Sequence, residues 1–140
     1  MVDDVALNKA ASIERCLARV AEEYQGDPRS LENQTKQDAI VLNLQRACKT
    51  SIDLAMHLVS RFRLGVPQES RDGFELLGRA SIIDKKLAER LKRMVGFRNV
   101  AIHDYQRLSL PIVRSIIEKH LEDFRDLASA ALDVSRREEP

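Results

Sequence analysis

Apolar residues recur at alternating spacings of four and three along most of the chain, which is the pattern of helices with one buried face. The first stripe predicts a helix over roughly residues 3–24 and consists of Ala6, Ala10, Ile13, Leu17, Val20 and Tyr24. Gly26-Asp27-Pro28 follows, and both glycine and proline end helices. A second stripe predicts the longest helix, from about Asn33 to Arg63. Because this stripe is wide, we expect the second helix to contact more than one neighbour.

Three further amphipathic segments follow at short intervals. A short one covers about residues 72–79. The next begins at Asp84, a residue type that caps helix N-termini, and runs to about Arg98. The last begins just after Ser109 and ends near Val134.

The order of these segments predicts the fold class. No strand-like alternation, internal repeat or low-complexity tract interrupts them, and their connections are short. Short connections make consecutive helices pack antiparallel. The sequence therefore predicts a single all-α domain over residues 1–140, an antiparallel up-and-down helical bundle with four long helices and one short helix, and a frayed tail at about 136–140.

Composition places the chain among globular proteins, since 44% of residues are hydrophobic and 32% are charged. The opening Met1-Val2-Asp3-Asp4 is neither basic nor apolar, and no segment approaches the ~18 consecutive apolar residues of a membrane span. These features predict a cytoplasmic protein without a signal peptide. Cys16 and Cys48 have no metal-type spacing and are expected to be reduced core residues.

The net charge of +1 hides an uneven distribution. Between Arg61 and Arg107 there are eleven Lys/Arg and six Asp/Glu, whereas the rest of the chain is acidic overall. A phosphate-bearing partner would favour this middle region. Solvation of helix faces still explains most of these cations individually.

Arg98 and His103 are the side chains in this region with the clearest chemical potential. Histidine titrates near neutral pH and can take a proton from a ribose 2′-hydroxyl or give one to a departing 5′-oxygen. Arginine holds a phosphate with a planar, permanently charged fork and stabilises charge that develops on it. Asn99 can orient the substrate or His103 without adding charge. These residue types suit cleavage of RNA without a metal ion.

The five-residue spacing of Arg98 and His103 sets a geometric condition. On an unbroken helix the two side chains lie about 140° apart around the axis. We therefore expect the fourth helix to end or distort near Val100–Ile102, so that Arg98 reaches towards the imidazole. One subunit supplies one such histidine, and a two-fold dimer would supply both a base and an acid, which predicts a homodimer. By spacing alone, a structural role for this Arg and His remains open.

The segment Arg98-Asn99-x-x-x-His103-x-Tyr105 resembles the RN-x3-H-x-Y signature of HepT, the HEPN-domain ribonuclease toxins that are paired with minimal nucleotidyltransferase (MNT) antitoxins in type VII toxin–antitoxin systems. The similarity extends over nearly the whole chain. It includes the runs Pro67-x-x-Ser70-x-x-x-Phe74-x-x-Leu77, Ala88-x-x-Leu91-x-x-Met94-x-x-Phe97, Asp38-Ala39-Ile40, Asn43-Leu44 and Asp53-Leu54-Ala55-x-His57-Leu58.

The resemblance implies specific roles. Arg98 and His103 correspond to the ribonuclease residues of the family, and Asn99 supports them; we expect Asp104 to support them as well. Tyr105 corresponds to the tyrosine on which the antitoxin, an MntA-like nucleotidyltransferase, attaches AMP. An adenylylated tyrosine would place bulk and negative charge beside the phosphate site and so block RNA. The expected substrates are cellular RNAs such as mRNA or tRNA.

Other classes of function are less well supported by the sequence. His57 and His120 lack the spacing of zinc ligands, and there is no glycine-rich phosphate loop, so we expect neither a metal nor a bound cofactor. His57 is expected at the edge of the core with a hydrogen-bond partner, and His120 solvated or paired. Two alternatives remain: a catalytically inert HEPN module acting as a binding or adaptor subunit of a nucleotidyltransferase, and a purely structural helical interaction protein.

Overall fold

The computed structural model describes residues 3–137, and in this range every regular element is helical. The first four α-helices are α1 (Asp4–Tyr24), α2 (Gln34–Arg61), α3 (Ser70–Arg79) and α4 (Lys85–His103). The last helix of the bundle has three consecutive parts, which are α5 (Leu110–Ser115), a π-helical turn (Ile116–His120) and α6 (Leu121–Arg137). Short 3₁₀ turns lie at Pro28–Glu32 and Tyr105–Arg107. The all-helical fold class is confirmed.

Helix α2 is the centre of the bundle. It packs against α1, α3, α4 and α6, as the width of its apolar stripe predicted. The buried hydrophobic residues of α2 are spread along its 28 residues and face different neighbouring helices. They include Ile40, Leu44, Ala47, Cys48, Leu54, Ala55 and Leu58. Because α2 faces the core on more than one side, it contacts four other helices, while α3 and α4 also pack on each other and α6 packs on α1.

The predicted helix starts agree with the observed caps. Asp3, Asn33, Asp84 and Ser109 each accept a hydrogen bond from a backbone N–H in the first turn of the helix that follows. Such caps satisfy donors that have no partner inside the helix.

Two predicted helix ends are wrong. The fourth helix does not end or distort near Val100–Ile102 but continues as α4 to His103. The last helix does not stop near Val134 but continues to Arg137, so Arg136 and Arg137 are helical and not frayed. The remainder of the predicted tail, residues 138–140, lies outside the described residues.

Asp3 joins three helices at one end of the bundle. Its carboxylate accepts hydrogen bonds from His57 Nε2 at 2.8 Å, Arg61 Nη1 at 2.6 Å and Ser135 Oγ at 3.3 Å, in addition to the N–H of Ala6 at 3.0 Å. Its side chain is only 6% exposed. Burial alone would raise the pKa of this carboxyl, but the hydrogen bonds from Ala6, His57 and Arg61 hold it well below the usual range. Asp3 is therefore the hydrogen-bond partner that was expected for His57.

No helix among residues 3–137 is both long enough and apolar enough to cross a lipid bilayer.

We expect Asp3→Asn to destabilise the protein by about 1–3 kcal/mol at pH 7, because the amide retains the cap but removes the negative charge that His57 and Arg61 contact. Since the folded-state pKa is depressed, this stabilisation is present above the ordinary Asp pKa of about 3.9 and disappears as the pH falls through the lower folded-state value. Urea unfolding at several pH values measures the difference. Asp4→Asn, at an exposed carboxylate in the same helix turn, is the matched control. Equal unfolding midpoints for the two variants would contradict the role assigned to Asp3.

Candidate active site

The residues of the predicted signature lie at the C-terminal end of α4. The helix remains regular to His103 because Phe97 and Ala101 are buried against the core and the N–H of Asp104 still bonds the carbonyl of Val100 at 2.8 Å. Asp104 has an extended φ of −150° and ends the helix. A single 3₁₀ turn beginning at Tyr105 follows directly.

Arg98 lies at the boundary between α4 and α2. Its side chain is half-buried, and its Nε is shielded from solvent without a hydrogen-bond partner. Its positive charge is close enough to the Cys48 thiol to oppose the effect of burial, which raises the pKa of Cys48 to about 12. Arg98 forms no ion pair with any carboxylate among residues 3–137. A guanidinium that keeps its charge without a carboxylate partner is free to bind a phosphate.

His103 lies on a different side of the same helix. Since α4 is unbroken, the directions of Arg98 and His103 differ by about 140° around the axis. The imidazole is exposed and has no hydrogen-bond partner in the described part of the chain. Val100 and Ile102 lie on either side of His103 around the helix, and they are 39% and 43% exposed. The helix distortion that was expected to bring Arg98 towards His103 is therefore absent from α4.

Asn99 is exposed and lines a small cavity of about 120 Å³ between the start of α3 and α4. Arg71 reaches into the same region: its Nε is 3.4 Å from the carbonyl of Lys92, and its guanidinium lies over Gly96. A Cβ added at Gly96 would be 3.3 Å from Arg71 Nη2, so the glycine leaves room for the guanidinium. Gly96, Asn99 and His103 share one face of α4. Arg71 thus adds a second guanidinium on the His103 side of the helix.

Tyr105 is half-buried. Its hydroxyl donates to Asp38 Oδ1 at 2.6 Å and accepts a hydrogen bond from Gln37 Nε2 at 3.2 Å, both near the N-terminus of α2. Burial raises the pKa of Tyr105, and so does the hydrogen bond to Asp38, which stabilises the neutral phenol. The phenol is therefore held in one orientation, two residues from His103.

Among the described residues, the Asp104 carboxylate is paired with none of the other predicted site residues. Its carboxylate forms an exposed ion pair with Arg107 at 3.4 Å, and its carbonyl accepts from the N–H of the same residue at 2.9 Å. These contacts stabilise the turn that carries Tyr105. A supporting role for Asp104 in chemistry stays a prediction.

Sequence reasoning missed Arg71, Gln37 and Asp38 as parts of this region. Arg71 precedes the motif by more than twenty residues, and Gln37 and Asp38 precede Tyr105 by more than sixty. The run beginning at Asp38 was noted only as a family resemblance. Residues 3–137 contain no group of three or more His, Cys, Asp or Glu side chains arranged as metal ligands.

Comparisons with known proteins identify the family of this chain. The family model described as Ribonuclease HepT-like matches residues 13–131. A Shewanella oneidensis protein named mRNA nuclease HepT is 42% identical over 137 residues, which cover 98% of this chain and 100% of the relative. A putative RNase of Archaeoglobus fulgidus is 28% identical over 66% of this chain and 69% of its own length.

Two solved structures have the same fold. The tri-AMPylated Shewanella oneidensis HEPN toxin in complex with its MNT antitoxin superposes with a TM-score of 0.87 at 44% identity, covering 92% of this chain and 97% of the toxin. A toxin–antitoxin crystal structure with AMP-PNP superposes with a TM-score of 0.87 at 42% identity, covering 93% and 99% of the two chains.

The predicted family and the predicted enzyme class, a ribonuclease, are confirmed by these matches. The family model spans most of the chain, and the Shewanella relative aligns along its full length. The chain belongs to the HepT-like ribonuclease family.

Proposed function

We propose that this chain is the toxin of a toxin–antitoxin pair and that it cleaves cellular RNA with Arg98 and His103, without a metal ion. The observation that carries the proposal is the end of α4, where an exposed imidazole and a guanidinium without a carboxylate partner occupy one helix. Its similarity to an mRNA nuclease favours RNA as the substrate. Messenger and transfer RNA are the candidate targets, which places its action in the cytoplasm.

The chemistry follows from what the two side chains can do. One imidazole takes the proton of a ribose 2′-hydroxyl, and the 2′-oxygen forms a new bond to the adjacent phosphorus. The bond from phosphorus to the 5′-oxygen breaks, and a protonated imidazole gives its proton to that oxygen. The products are a 2′,3′-cyclic phosphate and a 5′-hydroxyl. The Arg98 guanidinium stabilises the additional negative charge on the phosphate in the transition state.

This reaction needs a proton acceptor and a proton donor, whereas one chain supplies a single histidine in the motif. A two-fold dimer built around the end of α4 would bring two copies of His103 to one cleft. The exposed Ile102 supports such an arrangement, because it lies beside His103 and presents apolar surface that a second copy would cover. The separation of Arg98 and His103 around α4 also supports a dimer. His103 is on the solvent-exposed side of α4, where a partner chain can approach.

Regulation through Tyr105 completes the proposal. The partner is an MNT-type nucleotidyltransferase, as in the tri-AMPylated toxin complex that this chain resembles. The Tyr105 hydroxyl attacks the α-phosphorus of ATP, a bond forms between the phenolic oxygen and phosphorus, and pyrophosphate leaves. Asp38, which already accepts the hydrogen bond from this hydroxyl, is placed to receive its proton. The attached AMP carries negative charge close to His103 and repels the RNA backbone.

We expect His103→Ala to lower kcat for RNA cleavage by about 10²–10⁴-fold, because it removes the group that transfers protons. Arg98→Gln should also abolish most activity, since it retains hydrogen bonding but removes the charge. Fluorogenic RNA cleavage in EDTA measures both effects, and Arg29→Gln, at an exposed arginine of the Pro28–Glu32 turn, is the control. Wild-type activity in His103→Ala, or loss of wild-type activity in EDTA, would contradict the mechanism.

A mixing experiment tests whether two histidines act together. Wild-type protein is unfolded and refolded with an equal amount of His103→Ala, so that dimers form at random. If both histidines of a dimer are required, activity per wild-type chain falls to about half, because about half of the wild-type chains are paired with an inactive partner. Unchanged activity per wild-type chain would show that each histidine acts alone. Light scattering of the wild-type protein establishes whether the dimer forms.

Incubation with the antitoxin and ATP should add about 329 Da for each attached AMP unit, detected by intact-mass measurement, and should inhibit cleavage. We expect Tyr105→Phe to gain no mass. Tyr24→Phe is a matched control, because Tyr24 and Tyr105 are the two tyrosines of the chain and the Tyr24 hydroxyl is engaged by Glu118 in the interior. A normal mass gain in Tyr105→Phe would disprove the assignment of the acceptor.

A further inference from the structure

A cavity of about 180 Å³ lies between α4 and the last helix, outside the predicted site. Its apolar part includes Met94, Phe97 and Ile116, and Ile112 lies at its rim with more than half of its surface exposed. Arg90, Arg93, Ser115 and His120 supply the polar part. An apolar cavity with a few cationic groups at its edge fits a ligand that has both a flat apolar portion and a negative charge.

A buried carboxylate organises the cationic side of this cavity. Asp123 is 5% exposed, and it accepts hydrogen bonds from Arg90 Nε at 3.0 Å and His120 Nδ1 at 3.1 Å. A carboxylate only accepts, so His120 carries its proton on Nδ1 in this contact, and Nε2 is free. Arg90 likewise uses Nε and keeps both terminal nitrogens without a partner among the described residues. Asp123 therefore orients Arg90 and His120 and leaves the terminal nitrogens of Arg90 and Nε2 of His120 available to a ligand.

The π-helical turn Ile116–His120 lies directly beneath the cavity. A π-turn contains one residue more than an α-turn, and such turns occur frequently at functional sites. Here the extra residue changes the register of the last helix between Ser115 and Asp123. Residues from both sides of the turn, Ile112 and Ser115 before it and His120 at its end, line the same cavity.

The positive charge at this cavity exceeds what Asp123 neutralises. Arg93 is exposed and forms no ion pair within residues 3–137, and the terminal nitrogens of Arg90 are also free. If these side chains served only to link α4 to α6, the ion pair of Arg90 with Asp123 would be sufficient. The additional Arg93, the free His120 Nε2 and the adjoining apolar space indicate a site for an anionic ligand.

The cavity is close to the end of α4. Phe97 precedes His103 by six residues, which corresponds to a rise of about 9 Å along the helix and a rotation of about 120°. Val100 lies between them on the surface of the helix. A strand that crosses α4 with one phosphate at His103 can therefore reach the mouth of the cavity with a nearby nucleotide.

We infer that this cavity binds a nucleotide of the substrate RNA just beyond the two that flank the scissile bond, with Arg90 and Arg93 on a phosphate and the base against Met94, Phe97 and Ile116. His120 bonds the nucleotide through Nε2. The inference rests on the proposed ribonuclease function and adds to it a second subsite that selects how RNA lies on the enzyme. Arg90, Arg93 and His120 are binding residues, whereas Asp123 is a positioning residue that acts through two of them.

Binding is tested with a fluorescein-labelled single-stranded RNA of about 12 nucleotides in a His103→Ala background, where no cleavage occurs. Fluorescence anisotropy should show that Arg93→Gln raises Kd by about tenfold, the loss expected when one nucleotide is released from its site. Lys86→Gln, which removes one exposed charge from the start of the same helix, should raise Kd by less than about twofold. Equal effects of the two variants would overturn the inference.

A second pair of variants probes the rim. Ile112→Glu places a negative charge at the mouth of the cavity, and Ile112→Gln places an uncharged side chain of similar length there. We expect the glutamate to weaken RNA binding by about tenfold more than the glutamine does, because it repels the phosphate. Thermal unfolding followed by circular dichroism verifies that both variants fold. Equal affinity of the two folded variants would argue that no phosphate binds at this rim.

Cleavage kinetics separate the subsite from the catalytic residues. For a long RNA, Arg93→Gln should raise KM and leave kcat unchanged, whereas for a dinucleotide that contains only the scissile bond it should change neither constant. An equal loss with the dinucleotide would assign Arg93 to the reaction centre and refute a separate subsite. If the wild-type protein cleaves no RNA but the cavity variants still weaken binding, the ribonuclease mechanism fails and the nucleotide site stands.

Discussion

Packing of α4 against the central helix α2 is the constraint on which the site depends. Cys48 is buried within this contact, and its thiol points at the carbonyl of Met94 at 3.8 Å. Burial of Phe97 and Ala101 fixes the rotation of α4 about its own axis. That rotation leaves Arg98 at the edge of the helix pair and turns His103 towards solvent. This core contact therefore determines that His103 is exposed to solvent while Arg98 is half-buried.

The site also depends on how α4 ends. The turn after His103 is tied by the ion pair of Asp104 with Arg107, and the following Tyr105 is bonded to Gln37 and Asp38. The proposed acceptor of AMP is therefore anchored to the first turns of α2, while the proposed catalytic histidine is anchored to α4. Because one short segment connects the two residues, a group attached to the tyrosine remains close to the imidazole.

Much of the fold was predictable because helices and their ends depend on residues that are close together in the sequence. Apolar spacing defined the helices, and Asp84 and Ser109 capped two of them as their residue types indicate. The end of α4 was mispredicted because the expectation assumed that Arg98 must reach His103 within one chain. Burial of Ala101 and the backbone bond from Asp104 to Val100 favour continued helix instead.

The candidate site was predictable only where its residues are adjacent in sequence. Arg98, Asn99, His103 and Tyr105 form one motif and were identified together. The bonds from Tyr105 to α2, and from Asp123 to Arg90, join residues that are far apart in the chain. No periodicity marks such pairs, because each depends on how two helices are rotated against each other. The π-helical turn has no sequence signature of its own for the same reason.

The cluster around Asp3 has a practical meaning for handling the protein. Asp3 and Ser135 are hydrogen-bonded, so the two ends of the described chain lie side by side next to the C-terminal part of α2. Tyr105 touches the opposite part of α2 at Asp38. The rise of α2 between Asp38 and Arg61 separates these poles by about 35 Å. A dye attached at the exposed Asp4 or Arg136 therefore lies at the pole remote from Tyr105, and two dyes placed at both positions would report unfolding through loss of their proximity.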